Sequence, residues 1–500
     1  MGLSEAEQRV RADAHAWFDD HRDEFVSTLV DWVRIPSVSR ADLAEPGAPF
    51  GREVARMLDA IARTAESSGL EVCSHDGYAV SVRHGAEDRE IGLISHIDVV
   101  PAGDGWHFDP FEPTVRDGYV IGRGVRDNKG AALLDVSLLR FFRDRGHPLR
   151  CGLRVILGGA EETGMADMEH YVRTARVPEV SLVTDGFFPV NHVQHGRIAV
   201  EVRLPWSPAA GVLSTDGTTN SVPARARARF EDADVVAGLE RILRLGETPR
   251  DGVQAHREGE ALVVEAEGMA GHPAFPGSTV NAVAVLAEFV LRSGALSGTD
   301  RLVADLLARL LGDQYGVGAG LDRTDDSGRL TLNGGALECR DGELHLTMTI
   351  RHPVRQEARD ILRQLDTLVA PLGGAVEELS IVPPHVVPAD DPIVELLRAT
   401  FDDATGATTR PMAMGGGTHA RVVPNSHTFG PGLFTDQAIE YAARRQAGFL
   451  PAGHGDPHGP DECVAIDNLR MAFGIYAVAL TRLDELTRLD ELARLDEVVR

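Results

Sequence analysis

The sequence predicts an α/β fold: one discontinuous domain, built on a largely parallel sheet flanked by helices, interrupted by an inserted α+β domain. Three observations lead there. Short continuous apolar runs alternate with helical patterns up to about residue 190, period-two alternation takes over after about Ala199, and the α/β character returns from Asp391. Continuous runs suit parallel strands buried on both faces, whereas alternating runs suit antiparallel strands with one wet face.

The elements follow in order. Phe25, Leu29, Val30, Trp32 and Val33 approximate one helical face before Pro36 stops it. A second helix is predicted from Glu53 to Ser68, with Val54, Met57, Leu58, Ile61 and Ala62 inward and Gly69 closing it. Three apolar runs then each lead to polar residues. IGLIS reaches His96 and Asp98, LRVIL reaches Glu161 and Glu162 past Gly158 and Gly159, and VSLVT reaches Asp185. AALLDVSLLRFF and MADMEHYVRTA read as helices between them. Chemistry gathered after such strands lies at the edge where open α/β sheets place their sites. In the insertion, AVEVRLP, ARARARF, ALVVEAEG and GELHLTMTIRHP read as half-exposed strands, and NAVAVLAEFVLR and ARDILRQLDTLVAPL as helices. CVAIDNLRMAFGIYAVAL reads as a long terminal helix, followed by the repeat TRLDELTRLDELARLDEVVR. Leucines at every third position rotate about 60° per step on a helix, so the tail is expected to be a solvated helical extension, supported by Asp484–Arg488 and Asp490–Arg494 pairs.

Composition excludes several classes. A 43% hydrophobic, 25% charged chain of 500 residues is an ordinary globular mixture, not a disordered one. Its net charge of −26 argues against nucleic-acid binding. The lack of a long apolar run and the polar opening argue against a membrane span or secretory signal, so a cytoplasmic location is expected. Cys73, Cys151, Cys339 and Cys463 lie far apart without a CxxC pair, which fits reduced thiols. The chain has 49 arginines and one lysine, Lys129 in GRGVRDNKG, a position where an ammonium is needed and Arg will not serve.

The chemistry-bearing residues are His96, Asp98, Asp127, the Glu161–Glu162 pair, Asp185 and an imidazole from HGDPHGPDE. Two histidines with three carboxylates suit two divalent ions bridged by one carboxylate, and the shortage of thiolates points to zinc rather than iron–sulfur chemistry. Adjacent Glu161 and Glu162 cannot point the same way on an extended segment, so one is expected to bind metal and the other to act as general base.

These residues carry a resemblance. VRIPSVSR, SHIDVVPAG with GWHFDPFEP, GRGVRDNKG, GGAEETGMADMEHY, TDGFFPV, NSVPARA, GMAGHPAFPGSTVNA, IRHPV, GGGTHAR and HGPDE run from residue 34 to 462 in the order of the M20 metallopeptidases. The chain most resembles the bacterial V-type dipeptidases with two zinc ions (cobalt or manganese would also suit the donors). The resemblance implies a catalytic metal-binding domain at 1–196 and 386–500, with 481–500 a helical tail, and a lid domain at 197–385. It implies that His96 and Asp185 share one ion, Glu162 and His458 the other, and that Asp127 bridges them. Asp98 would orient His96 and Glu161 would be the general base. His454 is the rival to His458, which is preferred because HGPDE is similar to the family's His-x-x-Asn-Glu. His272 would stabilise the oxyanion, Asn220 and Arg351 would hold substrate with Arg351 on a free carboxylate, and Thr418 would add donors.

Three departures stand out: Asn128 for a second Asp, Gly186 for Ala, and His419 for Tyr. The implied activity is hydrolysis of dipeptides or similar short peptides. The alternatives are an N-acyl-amino-acid deacylase or carbamoylase, and a noncatalytic metal-site binding protein. The surplus length of the insertion resembles the extended lid of the V-type dipeptidases, and that resemblance implies an active monomer over a homodimer.

Overall fold

The structure, a computed structural model, describes residues 2–86, 88–215, 217, 221–245, 252–271, 279–433, 447–451 and 453–499. It divides into two compact units: Met1–His192 with Val386–Met412 and Gly417–Arg500, and Val193–His385 with Ala413–Gly416.

The first unit is built on a sheet whose strands run in the order Glu71–His75, Ala79–His84, Gly152–Gly158, Glu90–His96, Val180–Val183, Ser426–Thr428. Glu90–His96 lies parallel between Gly152–Gly158 and Val180–Val183, and Ser426–Thr428 extends the parallel part. Every residue of Glu90–His96 is buried, the reason it reads as a continuous run. The first two strands form an antiparallel edge. Glu71–His75 is largely exposed and carries no apolar run, so this edge left no sequence signal.

The helix Lys129–Arg145 is buried continuously from Lys129 to Leu139. Lys129 itself is fully buried and donates from Nζ to the carbonyls of Trp32 (3.1 Å) and Ile35 (2.7 Å). These carbonyls lie around the C-terminus of the helix Arg22–Val33, where a cation also meets the negative end of the helix dipole. Burial pulls the ammonium down to about 7. A compact ammonium suits two carbonyls converging on one point better than a planar guanidinium does, which accounts for the single lysine.

The helix Glu5–Asp20 was not read from the sequence, although Ser4 and Glu7 cap it reciprocally (Glu7 N to Ser4 Oγ 3.3 Å, Ser4 N to Glu7 Oε2 2.7 Å). It packs on the terminal helix Ile466–Val499, with Trp17 stacked on Phe473 at 5.5 Å. A Cβ at Gly474 would fall 2.3 Å from His15 Nε2, so this helix pair needs glycine there.

Two expectations change. Cys463–Ala465 is a strand paired with Tyr119–Ile121, and the helix starts at Ile466. The start of the tail is packed rather than solvated: Leu483 is buried, and Asp484 accepts from the backbone N–H groups of Arg150 (2.9 Å) and Cys151 (2.8 Å). The side chains of Arg488, Asp490 and Arg494 lie outside the described residues.

The second unit is an antiparallel sheet in the order Val253–Glu258, Ala261–Glu267, Arg225–Phe230, Val212–Thr215, Thr331–Arg340, Glu343–His352, Gly196–Pro205, Ala375–Val382. Gly196–Pro205 alternates buried and part-exposed residues along its whole length, the pattern the sequence displays. Besides Ala282–Ser293 and Ala358–Val369, helices also form at Ala233–Leu245 and Gly298–Leu311. Val303, Leu306, Leu307, Leu310 and Leu311 enter this unit's core. Among the described residues no helix is long and apolar enough to cross a membrane.

Candidate metal centre

The ends of three parallel strands converge in the first unit. His96 closes Glu90–His96, Asp185 follows Val180–Val183 after Thr184, and Glu161 and Glu162 follow Gly152–Gly158 through Gly159 and Ala160. Asp127 precedes the buried helix, and His458 comes from the loop before Cys463–Ala465.

Asp127 stands between the two imidazoles. Its Oδ1 lies 3.0 Å from His96 Nε2 and its Oδ2 lies 3.3 Å from His458 Nε2. His96 Nε2 is also 3.7 Å from Asp185 Oδ1, and His458 Nε2 is 2.9 Å from Glu162 Oε1. Ligand atoms of His96, Glu161 and Asp185 lie within 4.8 Å of one another, as do those of His96, Asp127 and Glu162. Asp98 is fully buried; its Oδ1 accepts from Glu161 N and its Oδ2 from Glu162 N, both at 3.1 Å. His96 Nδ1 faces the Asp98 carbonyl at 3.0 Å and its carboxylate at 3.4 Å, which leaves Nε2 toward Asp127.

The electrostatics are those of crowded anions. Burial alone would lower His96 and His458, but Asp185, Asp127 and Asp98 hold His96, and Glu162 and Asp127 hold His458, well above the ordinary value. Burial would raise Asp127, yet the two imidazoles hold it well below the usual carboxylate range. Burial, with Asp185, Glu162 and Asp98 nearby, pushes Glu161 well up, and burial also raises Glu162 against the pull of His458. Carboxylates from Asp98, Asp127, Glu161, Glu162 and Asp185 thus face two imidazoles, an excess of negative charge that divalent cations would balance. Nitrogen and oxygen donors without thiolate suit zinc, cobalt or manganese, so the residues present fit such ions.

The pattern of Peptidase family M20/M25/M40 matches residues 92–482. The chain belongs to this family and is a metallopeptidase. It is 29% identical over 474 residues to YtjP of Bacillus subtilis (strain 168), whose name assigns it provisionally to the dipeptidases; the match covers 92% of this chain and 97% of that one. A similarly named protein of Staphylococcus saprophyticus, SSP1012, is 28% identical over 85% of this chain and 94% of its own. Among solved structures, human carnosine dipeptidase 1 has the same fold, with a TM-score of 0.60 at 17% identity, covering 97% of this chain and all 100% of its own. The Saccharomyces cerevisiae di-peptidase Dug1p gives 0.57 at 14%, covering 95% and 98%.

The structure gives physical reasons for the M20 chain's departures. Asn128 donates from Nδ2 to the Thr184 carbonyl (3.1 Å), which a carboxylate could not do. A Cβ at Gly186 would fall 2.3 Å from Thr428 Cγ2 and 2.5 Å from Asn191 Oδ1. His419 is fully buried and meets Asp167 Oδ2 at 3.1 Å. His454 meets Asp461 instead of the cluster that receives His458. Thr418 is buried, with its hydroxyl 2.9 Å from Thr428 Oγ1 and accepting from Ala420 N. Arg351 is buried in the second unit, on Glu343–His352. His272 and Asn220 lie outside the described residues.

Sequence reasoning missed three supports, Glu462, Asp167 and Asp135. Glu462 Oε1 accepts from the N–H groups of Arg126 (2.9 Å) and Asp127 (3.0 Å), while its Oε2 pairs with buried Arg123 at 2.7 Å. Asp167 accepts from Ala160 N at 3.0 Å, next to Glu161; a Cβ at Gly158 would fall 2.0 Å from that carboxylate. Asp135 joins two strand ends, accepting from Ser95 Oγ, beside His96, and from Thr184 Oγ1 (2.6 Å), beside Asp185. A lone acid within AALLDVSLL was its available signal.

Burial pushes the Asp135 carboxyl up to about 7, against the pull of those two hydroxyls. The native chain therefore keeps a proton that an unfolded aspartate, with a pKa of about 3.9, has lost; this group costs stability increasingly as pH rises from 4 to 7. Asp135→Asn should relieve that cost: its stability relative to the parent, from denaturant unfolding, should rise across pH 4–7 by a few kcal/mol and level off above. A difference that does not vary with pH would contradict this.

Proposed function

We propose that this chain is a dinuclear metal-dependent dipeptidase, cleaving the amide bond of dipeptides or similar short substrates that carry a free C-terminal carboxylate. The observation that carries the reading is Asp127, whose two oxygens each face a different imidazole. In this reading His96, Asp185 and Asp127 would hold one divalent ion, and Glu162, His458 and Asp127 the other, zinc being the best match to the donors. Such ions lower the pKa of water and polarise a carbonyl.

The chain's own groups do the rest. Glu161 takes the proton of the attacking water on its carboxylate and passes it to the leaving amine, while Asp98, through the N–H groups of both glutamates, keeps the pair turned to different tasks. Asp98 also holds the ring of His96 in one orientation. His272 donates to the oxyanion. Arg351, with Asn220 and the donors around Thr418, grips the substrate, the guanidinium fork matching the terminal carboxylate. The second unit acts as a lid that supplies His272 within its own chain, so the monomer is the active species. The dipeptidase names of the curated relatives support the substrate class.

Glu161→Gln should leave metal content intact and lower kcat by about 10²–10⁴-fold, whereas Glu162→Gln should weaken metal binding. Metal analysis beside steady-state kinetics separates the two, and exchanged phenotypes would reverse the assignment.

C-terminally amidated dipeptides should be poor substrates of the parent enzyme, and Arg351→Ala should lower kcat/KM for the free acids toward the amide level. Equal turnover of acid and amide would rule out the carboxylate clamp and favour a different amidase specificity.

A further inference from the structure

A second group of metal-ligand type lies apart from the residues assigned above. Asp461 is fully buried, and its two carboxylate oxygens are divided between two tasks. Oδ1 accepts from the backbone N–H groups of His107 (2.8 Å) and Phe108 (3.0 Å). Oδ2 is met by two imidazole nitrogens, His107 Nδ1 at 3.0 Å and His454 Nδ1 at 2.7 Å. The two rings stand 4.9 Å apart, tilted by 58°, so both Nδ1 atoms converge on one oxygen. Ligand atoms of the three residues lie within 4.8 Å of one another. The nitrogen–oxygen separations match those of the catalytic cluster, where His96 and His458 lie 3.0 and 2.9 Å from their nearest carboxylate oxygens.

Charge makes the arrangement informative. A buried carboxylate needs a compensating positive charge. The ion pairs of Asp461 among the described residues are with these two imidazoles and with no guanidinium. Either the ring N–H groups alone satisfy Oδ2, or a cation stands between them and it. The open side of the group favours a cation: the His107 side chain is 59% exposed, so solvent and ions have direct access. Position 461 also differs from the His-x-x-Asn-Glu pattern that HGPDE otherwise matches, an anionic oxygen standing where that pattern has a neutral amide.

We propose that His107, His454 and Asp461 form a further metal site, separate from the catalytic centre, that takes one divalent first-row ion of the zinc type through two imidazole nitrogens and one carboxylate oxygen. The ion fastens the segment Trp106–Phe108 to the loop His454–Asp461. That loop also carries His458, and Glu462, next to Asp461, holds the backbone N–H of Asp127. The site therefore steadies the loop that completes the catalytic cluster without touching it.

The test is equilibrium dialysis of chelator-stripped protein against zinc, with metal counted per chain, on the parent, Asp461→Asn, His107→Ala and Asp127→Asn. Asp461→Asn keeps an acceptor for the two backbone N–H groups, and His107→Ala removes an exposed ring, so at least one variant remains folded; far-ultraviolet circular dichroism confirms which. The expected count is three for the parent and two for each of the first two variants, while Asp127→Asn keeps the ion that Asp461→Asn loses. Equal counts in the parent, Asp461→Asn and His107→Ala would overturn the proposal whatever the catalytic stoichiometry. A parent holding a single ion that Asp461→Asn loses would uphold this site and defeat the dinuclear reading instead.

Discussion

The carboxylate of Asp127, held between His96 and His458, is the constraint on which the first unit's design rests. One anionic group shared by two imidazoles in a partly dry pocket is unfavourable unless its backbone is fixed and its surroundings are matched in charge. Glu462 fixes the backbone by accepting the N–H groups of Arg126 and Asp127, and buried Arg123 neutralises Glu462. Lys129, two residues on, anchors the same turn to the end of the helix Arg22–Val33. The sheet then supplies what Asp127 faces, because three parallel strands end at one edge.

Around this centre further acidic side chains place the residues of the cluster. Asp98 spans the two glutamate N–H groups, Asp167 holds the N–H just before them, and Asp135 ties the residues preceding His96 and Asp185 to one helix. Glycine makes room for this density: a side chain at Gly158 would occupy the place of the Asp167 carboxylate. The departures from the family pattern belong to the same scheme. Asn128 supplies a donor for the Thr184 carbonyl, and His419 supplies the partner of Asp167.

What the sequence disclosed follows from periodicity and chemical type. IGLIS, LRVIL and VSLVT are buried on both faces and end in ligands, so strand and site could be read together. The alternation of AVEVRLP gave the one-sided burial of Gly196–Pro205 for the same reason. Supports such as Asp135, Asp167 and Glu462 were hidden because their importance lies in which backbone groups they meet, and those meetings are set by tertiary contact between segments up to hundreds of residues apart. The tail shows the limit of periodicity most clearly. Its three-residue repeat pointed to a solvated helix, whereas Leu483 and Asp484 are held by packing and by the turn at Arg150 and Cys151.

The central claim is that Asp127 is shared by two divalent ions. Anomalous scattering at the zinc edge from crystals of the zinc-loaded protein tests it directly. Two peaks are predicted, each about 2.0–2.2 Å from a different oxygen of Asp127, one also beside His96 and Asp185 and the other beside Glu162 and His458. A single peak within this cluster, or two of which only one touches Asp127, would contradict the account.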